Sequence, residues 1–288
     1  MALAVSVVIP TCGRRDLLRR CLAALHWQSL PAESIEIIVV DDTKCRRGPA
    51  AARNIGWRLA GAPIVAFTDD DTVPDVHWLE QGVAAFRSGI DAVTGRIVMP
   101  VAVPPTDYER NEQGLQRAEF ATANCFVRNA VLRSLGGFDE RFKLPWREDS
   151  DLHFRLLEAG CAIARAPAAL VVHPPRPAPW GVSLRQQRKV MFDALLFRKH
   201  RRLYRERIRR AARWDYYAVV AALATGLVWP PALVLWLLLT ARFCLRRLHR
   251  TSKTPRHIAE MVITSMLIPP LAVYWRFVGA LRYRVAFI

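Results

Sequence analysis

Beyond residue 180 the chain has only four acidic side chains, Asp193, Glu206, Asp215 and Glu260, against 21 lysines and arginines. Residues 1–180 hold 21 of each sign, so the net charge of +17 belongs to the C-terminal part alone. Cysteine is sparse: six residues, none spaced Cys-x-x-Cys, which argues against a zinc site or a disulfide framework and suits a reducing compartment. No Gly-x-Gly-x-x-Gly follows the first apolar run, which disfavours a dinucleotide-binding oxidoreductase. Ala2–Pro10 has no basic flank before it and turns polar at Thr11, so it is expected to be a buried strand and not a targeting segment. The basic residues flank long uncharged stretches instead of alternating with exposed aromatics, so nucleic acid is not an expected partner.

What is present in the first part is alternation. Val5–Ile9 and Ile35–Val40 are β-branched runs, and Ile64–Phe67 is a third. Leu17, Leu18, Cys21, Leu22 and Leu25 recur at helical spacing between the first two runs, and a small-residue helix is expected over about Pro49–Leu59. Val76, Leu79, Val83 and Phe86 suggest a further helix, Ala92–Val98 a fourth strand, Asn129–Leu135 a short helix and Ala169–Val172 another strand. Such alternation predicts an α/β domain with a mostly parallel sheet flanked by helices, with ligands beyond the carboxyl ends of the strands. A Pro-rich stretch, residues 174–179, reads as a stiff linker, so a domain over 1–180 and a basic helical region over 181–288 are expected.

Carboxylates gather at two strand ends, Asp41–Asp42 and Asp69–Asp70–Asp71, and again at Glu148, Asp149 and Asp151. Three adjacent aspartates repel one another, and a hard divalent cation is one reason to keep them together. Helix capping is the plain alternative, for Asp71 and above all for Asp151. Six motifs in order weigh against it: Val5–Thr11, Ile38–Asp42, Gly48–Gly56, Phe67–Pro74, Gly136–Glu140 and Arg147–Leu152. Together they resemble the family 2 inverting glycosyltransferases, which have the GT-A fold, over about residues 5–173.

The resemblance implies a role for each matching position. Pro10, Thr11, Asp41 and Asp42 would cradle the base and ribose of a nucleotide-sugar donor, with Arg53 and Asn54 nearby. Asp69 and Asp71 would hold Mn²⁺ or Mg²⁺, with either Asp70 or Asp71 as the direct ligand in this family, Asp70 would otherwise contact sugar or ribose, and His173 would supply a further metal or diphosphate contact. Asp149 would be the general base. Phe138, Asp139, Trp146 and Glu148 would border the acceptor. A UDP-sugar is the first expectation for the donor, because a carboxylate such as Asp42 can accept the imide N–H of a pyrimidine. A scaffold that keeps the fold without catalysis is the alternative.

The C-terminal part reads as membrane-associated. Residues 185–213 carry 12 basic residues interleaved with apolar ones and are expected to form an amphipathic helix suited to anionic lipids. Tyr216–Thr240 is 25 residues without a charge, interrupted by Pro230–Pro231. Met261–Trp275 is interrupted by Pro269–Pro270 and followed by more arginines. Basic flanks on both sides of each run favour two interfacial or re-entrant hairpins turning at the proline pairs over a pair of spans. The expected location is the cytoplasmic face of the cell membrane, and the expected acceptor a lipid-linked or membrane-proximal glycan.

Overall fold

The computed structural model describes residues 2–287. The chain forms β1 (Val5–Thr11), α1 (Arg15–His26), β2 (Ile35–Asp41), α2 (Pro49–Leu59), β3 (Ile64–Phe67), β4 (Val73–Pro74), α3 (Trp78–Ala84) and β5 (Ala92–Val98). It continues with α4 (Asp107–Glu112), β6 (Cys125–Arg128), α5 (Asn129–Leu135), α6 (Glu148–Glu158) and β7 (Ile163–Val172). Helices follow: α7 (Val182–Gln186), α8 (Met191–Lys199), the single turn α9 (Arg201–Leu203), α10 (Trp214–Gly226), α11 (Ala232–Leu248) and α12 (Pro255–Arg282). Two compact units result, one of Met1–Pro100 with Gln113–Pro175, the other of Val101–Glu112 with Arg176–Ile288.

The first unit is built on a seven-stranded sheet in the order β2-β1-β3-β6-β5-β7-β4. The sheet is mixed, not mostly parallel. β1 pairs β2 and β3 in parallel and β5 pairs β7 in parallel, whereas β6 runs antiparallel to both its neighbours, as β4 does to β7. β6 is four residues, Cys-Phe-Val-Arg, the first three buried, wedged into the sheet centre, too short for periodicity to reveal. β1 is buried along its whole length, as its β-branched sequence requires. On one face Val5, Val7, Ile9, Trp78, Leu79 and Phe126 form a core, and on the other Val8, Val65, Phe67, Val127, Leu132 and Leu152 form a second.

The small residues of α2 let it lie tightly on β1. A Cβ on Gly56 would fall 2.3 Å from Val8 Cγ1, so no larger residue fits without displacing the helix. That contact fixes the height of α2 over the sheet and therefore the position of Arg53, one turn earlier.

The second unit is helical. The expected single amphipathic helix over 185–213 is instead a series of short pieces, α7, α8, α9 and a π-helical turn at Tyr204–Ile208. Leu195, Leu196, Phe197 and Leu203 are buried in the interior, so these apolar residues serve packing here. α10 and α11 form a hairpin around Pro230–Pro231, as expected. Pro269 and Pro270, by contrast, lie inside the continuous 28-residue α12, so the expected second hairpin does not form. Two ladder donors are lost there, but Met261, Ile268, Pro269 and Ala272 are all buried, and packing holds the helix through the break.

Candidate active site

The Asp69–Asp71 turn leaves the end of β3 and is fastened from below. Thr68 Oγ1 donates to the Ala123 carbonyl at 3.0 Å and Thr72 Oγ1 to the Asp69 carbonyl at 2.7 Å. The buried thiol of Cys21 lies against the same carbonyl at 3.6 Å, and burial pushes its pKa up to about 12. This footing directs the three carboxylates apart.

Each aspartate faces a different partner, an arginine for Asp69 and for Asp70 and an imidazole for Asp71, which spreads their charges apart. Asp69 accepts from Arg53 Nη2 at 2.7 Å. Asp70, with no exposed side-chain surface, accepts from Thr11 Oγ1 at 2.6 Å and pairs with Arg14 at 2.7 Å. Burial raises its pKa, and Thr11 and Arg14 oppose that rise. Asp71 lies 3.5 Å from His173 Nε2, with Asp69 at 3.9 Å from the same nitrogen. His173 is held beyond β7 by its backbone N–H, which donates to the Val98 carbonyl at 2.8 Å.

Asp69, Asp71 and His173 therefore present two carboxylate oxygens and one imidazole nitrogen within 4.8 Å of one another. Oxygen donors with one imidazole suit Mn²⁺, and Mg²⁺ through the carboxylates. Asp70 is turned away from this cluster toward β1.

Arg53 is the central connection. It is 3% exposed, and its second arm, Nη1, donates to Glu148 Oε1 at 3.0 Å. Burial disfavours its charge, but Asp69 and Glu148 more than offset that and raise its pKa above the usual arginine value. Glu148 opens α6 with Asp149 and Asp151. Its carboxyl is pushed above the ordinary range by burial first and by Asp149 next, with Arg53 opposing. Burial also raises the pKa of Asp149. Asp149 Oδ1 accepts from Ser150 N at 2.6 Å and Ser150 Oγ at 3.3 Å. Asp151 is buried and pairs with Arg155 at 2.9 Å.

The remaining candidate residues are placed as follows. Asn54 is buried and accepts from Trp57 Nε1 and Phe138 N, both at 2.8 Å, while donating to the Phe138 carbonyl. It thus clamps the turn at Gly137, whose φ of +71° and lack of a Cβ allow that approach. Phe138 is buried edge-on to Phe67 at 5.2 Å, and Asp139 pairs with Arg141 at 2.6 Å. Trp146 is 37% exposed under the guanidinium of Arg147. Pro10 is buried within β1. Asp42 accepts from Arg47 N at 3.0 Å and Gly48 N at 2.7 Å, shaping the loop that leads into α2. Asp41 is exposed and bonded to Thr43, which holds its pKa below the ordinary value. Arg14 was not singled out from sequence, since one arginine in a polar turn gives no sign that it answers an aspartate 56 positions away.

Residues 64–278 match the family described as glycosyl transferase family group 2, and residues 6–46 match glycosyl transferase family 2. The chain belongs to glycosyl transferase family group 2. This transferase is 29% identical over 222 residues to glycosyltransferase AglE of Haloferax volcanii, spanning 65% of this chain and 71% of that one. It is 31% identical over 207 residues to the pre-mycofactocin glycosyltransferase of Mycobacterium tuberculosis, spanning 59% of this chain but only 42% of that relative. A mannosyltransferase from Pyrobaculum calidifontis, solved with GDP-Man and Mn2+, superposes with a TM-score of 0.59 at 20% identity, covering 96% of this chain and 88% of that one. TarS 1-349 of S. aureus, solved with UDP, gives 0.51 at 16% identity, covering 96% and 92%. These likenesses establish the GT-A fold.

Proposed function

We propose that this glycosyltransferase moves a sugar from a nucleotide-diphosphate donor to a hydroxyl of a membrane-proximal acceptor, with inversion at the anomeric carbon and Asp149 as general base. The observation that carries the reading is the line of groups from Asp71 through Asp69 and Arg53 to Glu148, with Asp149 next in the chain. It sets a candidate cation site and a candidate base at the two ends of one buried ion-pair chain.

Asp69, Asp71 and His173 would hold Mn²⁺ or Mg²⁺, which when bound offsets charge on the departing diphosphate. Asp149 Oδ1 is occupied by Ser150, while Oδ2 accepts no hydrogen bond from a described residue and is the oxygen assigned to the acceptor proton. A carboxylate serves because the alcohol becomes acidic only as its bond to the sugar forms. Arg53 opposes the burial that raises Glu148 beside the base and holds Asp69 on the donor side. A UDP-sugar is the proposed donor, with Asp41, Asp42, Thr11 and the loop at Arg47–Gly48 on the base side and Trp146 and Asp139 toward the acceptor.

The acceptor side is assigned to a membrane because of the second unit. α12 is long and apolar enough to cross a bilayer, yet His257, Met261, Thr264, Ile268, Ala272 and Arg276 make one buried face. Val262, Ile263, Met266, Leu267, Tyr274, Phe277 and Leu281 remain exposed. That division suits a helix lying in the interface, with basic residues at both ends on the cytoplasmic side and anionic lipid beneath.

Thermal-shift measurements on the full chain with UDP, GDP and dTDP, with and without Mn²⁺, test the donor side. A metal-dependent rise with UDP is expected. Asp149→Asn should keep that rise and lose turnover by about 10²–10⁴-fold. Full activity in the variant would remove Asp149 from the chemistry.

A further inference from the structure

The second unit contains a cavity of about 570 Å³ lined entirely by its own residues, among them four arginines, Arg209, Arg213, Arg246 and Arg247, and two acids, Asp107 and Asp215. The pairing is uneven. Arg247 spends its guanidinium on Asp107 at 2.8 Å and on the hydroxyls of Thr264 and Ser265 at 2.7 and 3.0 Å. Asp215 is shared, accepting from Arg213 at 2.8 Å and Arg246 at 3.1 Å. Arg209 has no ion-pair partner among the described residues, and the wall keeps two positive charges in excess.

Three of the four guanidiniums are held in place. Arg213 lies 3.7 Å over the Tyr216 ring, and Arg246 and Arg247 lie at 5.5 and 5.6 Å on Phe243. Stacked guanidiniums are oriented before any ligand arrives, and their planar forks match phosphate oxygens. Partial burial, with Arg213 and then Arg276 nearby, lowers the pKa of Arg209. Arg276 is itself buried, and its Nη1 has no hydrogen-bond partner among the described residues. On the cavity wall the Ser183 hydroxyl likewise lacks a partner among them. Asp193, with no ion pair to Arg209, offsets only part of this, and positive charge partly withdrawn from water with too little counter-charge is unfavourable until an anion supplies it.

We propose that this cavity binds the phosphate or diphosphate group of an anionic ligand, with Arg209 as the guanidinium that meets it and Arg213 and Arg246 as oriented neighbours. Two uncompensated positive charges match a dianion better than a single carboxylate. The group can come from a lipid headgroup or from a soluble phosphate.

The test uses the full chain in detergent with EDTA, so that divalent cations do not recruit the probe to Asp69 and Asp71. Inorganic pyrophosphate is titrated calorimetrically. Flotation then compares phosphatidylcholine vesicles carrying phosphatidic acid with vesicles carrying phosphatidylserine. Arg209→Gln should weaken binding at least tenfold, while Arg242→Gln, which removes an exposed charge outside the cavity, should leave it within twofold. Arg209→Lys keeps the charge but loses the fork, so it should weaken binding severalfold and serves if the glutamine variant does not fold. A preference for phosphatidic acid that depends on Arg209 identifies a lipid source, and a response to pyrophosphate alone identifies a soluble one. Equal losses in the Arg209 and Arg242 variants, or no saturable binding of either probe, overturn the proposal.

Discussion

At the scale of single residues the site is an exercise in keeping charge tolerable. Arg53 bridges Asp69 and Glu148, and all three are largely withdrawn from water. Breaking a buried pair by removing one member leaves the other uncompensated, at a cost of about 3–5 kcal/mol. Arg53→Met should therefore lower stability by that order in urea unfolding of the full chain, whereas the exposed pair Arg19–Asp16 should tolerate Arg19→Met with no resolvable change. The raised pKa of Asp149 gives a second expectation. A base must be ionised, so kcat/KM should fall as pH drops through that raised value, at higher pH than for an ordinary carboxylate. Asp149 is among the groups that raise Glu148, and a charged Glu148 next to it in the chain would in turn disfavour a charged Asp149. Glu148→Gln should accordingly shift the acid limb of the profile downward, and an unmoved limb would show that another group sets it.

Much of this was legible in the residues and some was not. Asp69, Asp71 and His173 were named together from sequence, and the structure brings them within reach of one ion. Arg53 and Glu148 were singled out for other neighbours. Their mutual contact, across 95 positions, has no local signature, because it depends on how closely α2 packs on β1.

At the scale of elements, β1, β2, β3 and α2 follow from β-branched runs and small-residue spacing. The reversal of β6 does not, since a strand of four residues carries no direction. Likewise the two prolines of α12 read as a break because propensity is local, while the packing that overrides it comes from other helices. The turn at Gly137 allows a sharp check. Its φ of +71° and a Cβ that would fall 2.3 Å from Trp57 Nε1 mean that Gly137→Ala strains the turn and crowds Asn54. A loss of about 1–3 kcal/mol is expected, measured by denaturant midpoint. The hairpin of α10 and α11 offers another. Leu227, Val228 and Trp229 at its tip are 61–89% exposed, and Val228→Glu should reduce flotation with anionic vesicles without lowering the unfolding midpoint in detergent.

At the scale of the whole molecule, composition and packing divide the chain at nearly the same place, with charge changing near residue 180 and packing at Pro175–Arg176. The strap Val101–Glu112 is the exception. It lies within the neutral part of the sequence and packs with the basic unit. There Asp107 meets Arg247, Arg110 donates to the His249 carbonyl, and the Ser252 N–H donates to the Pro105 carbonyl at 2.8 Å.

The consequence is one of inheritance and engineering. A gene cut at residue 180 would not yield a self-sufficient enzyme half, because the fragment would carry a loop whose binding partners had been left behind. Its Asp107 would lose Arg247, and the remainder would hold a buried arginine without its carboxylate. The fragment of residues 1–180 is expected to show a broader, earlier unfolding transition than the full chain and to be cut by trypsin faster at Arg110, whose tie to the His249 carbonyl it lacks. Swapping the C-terminal region between relatives should succeed only when the strap travels with it.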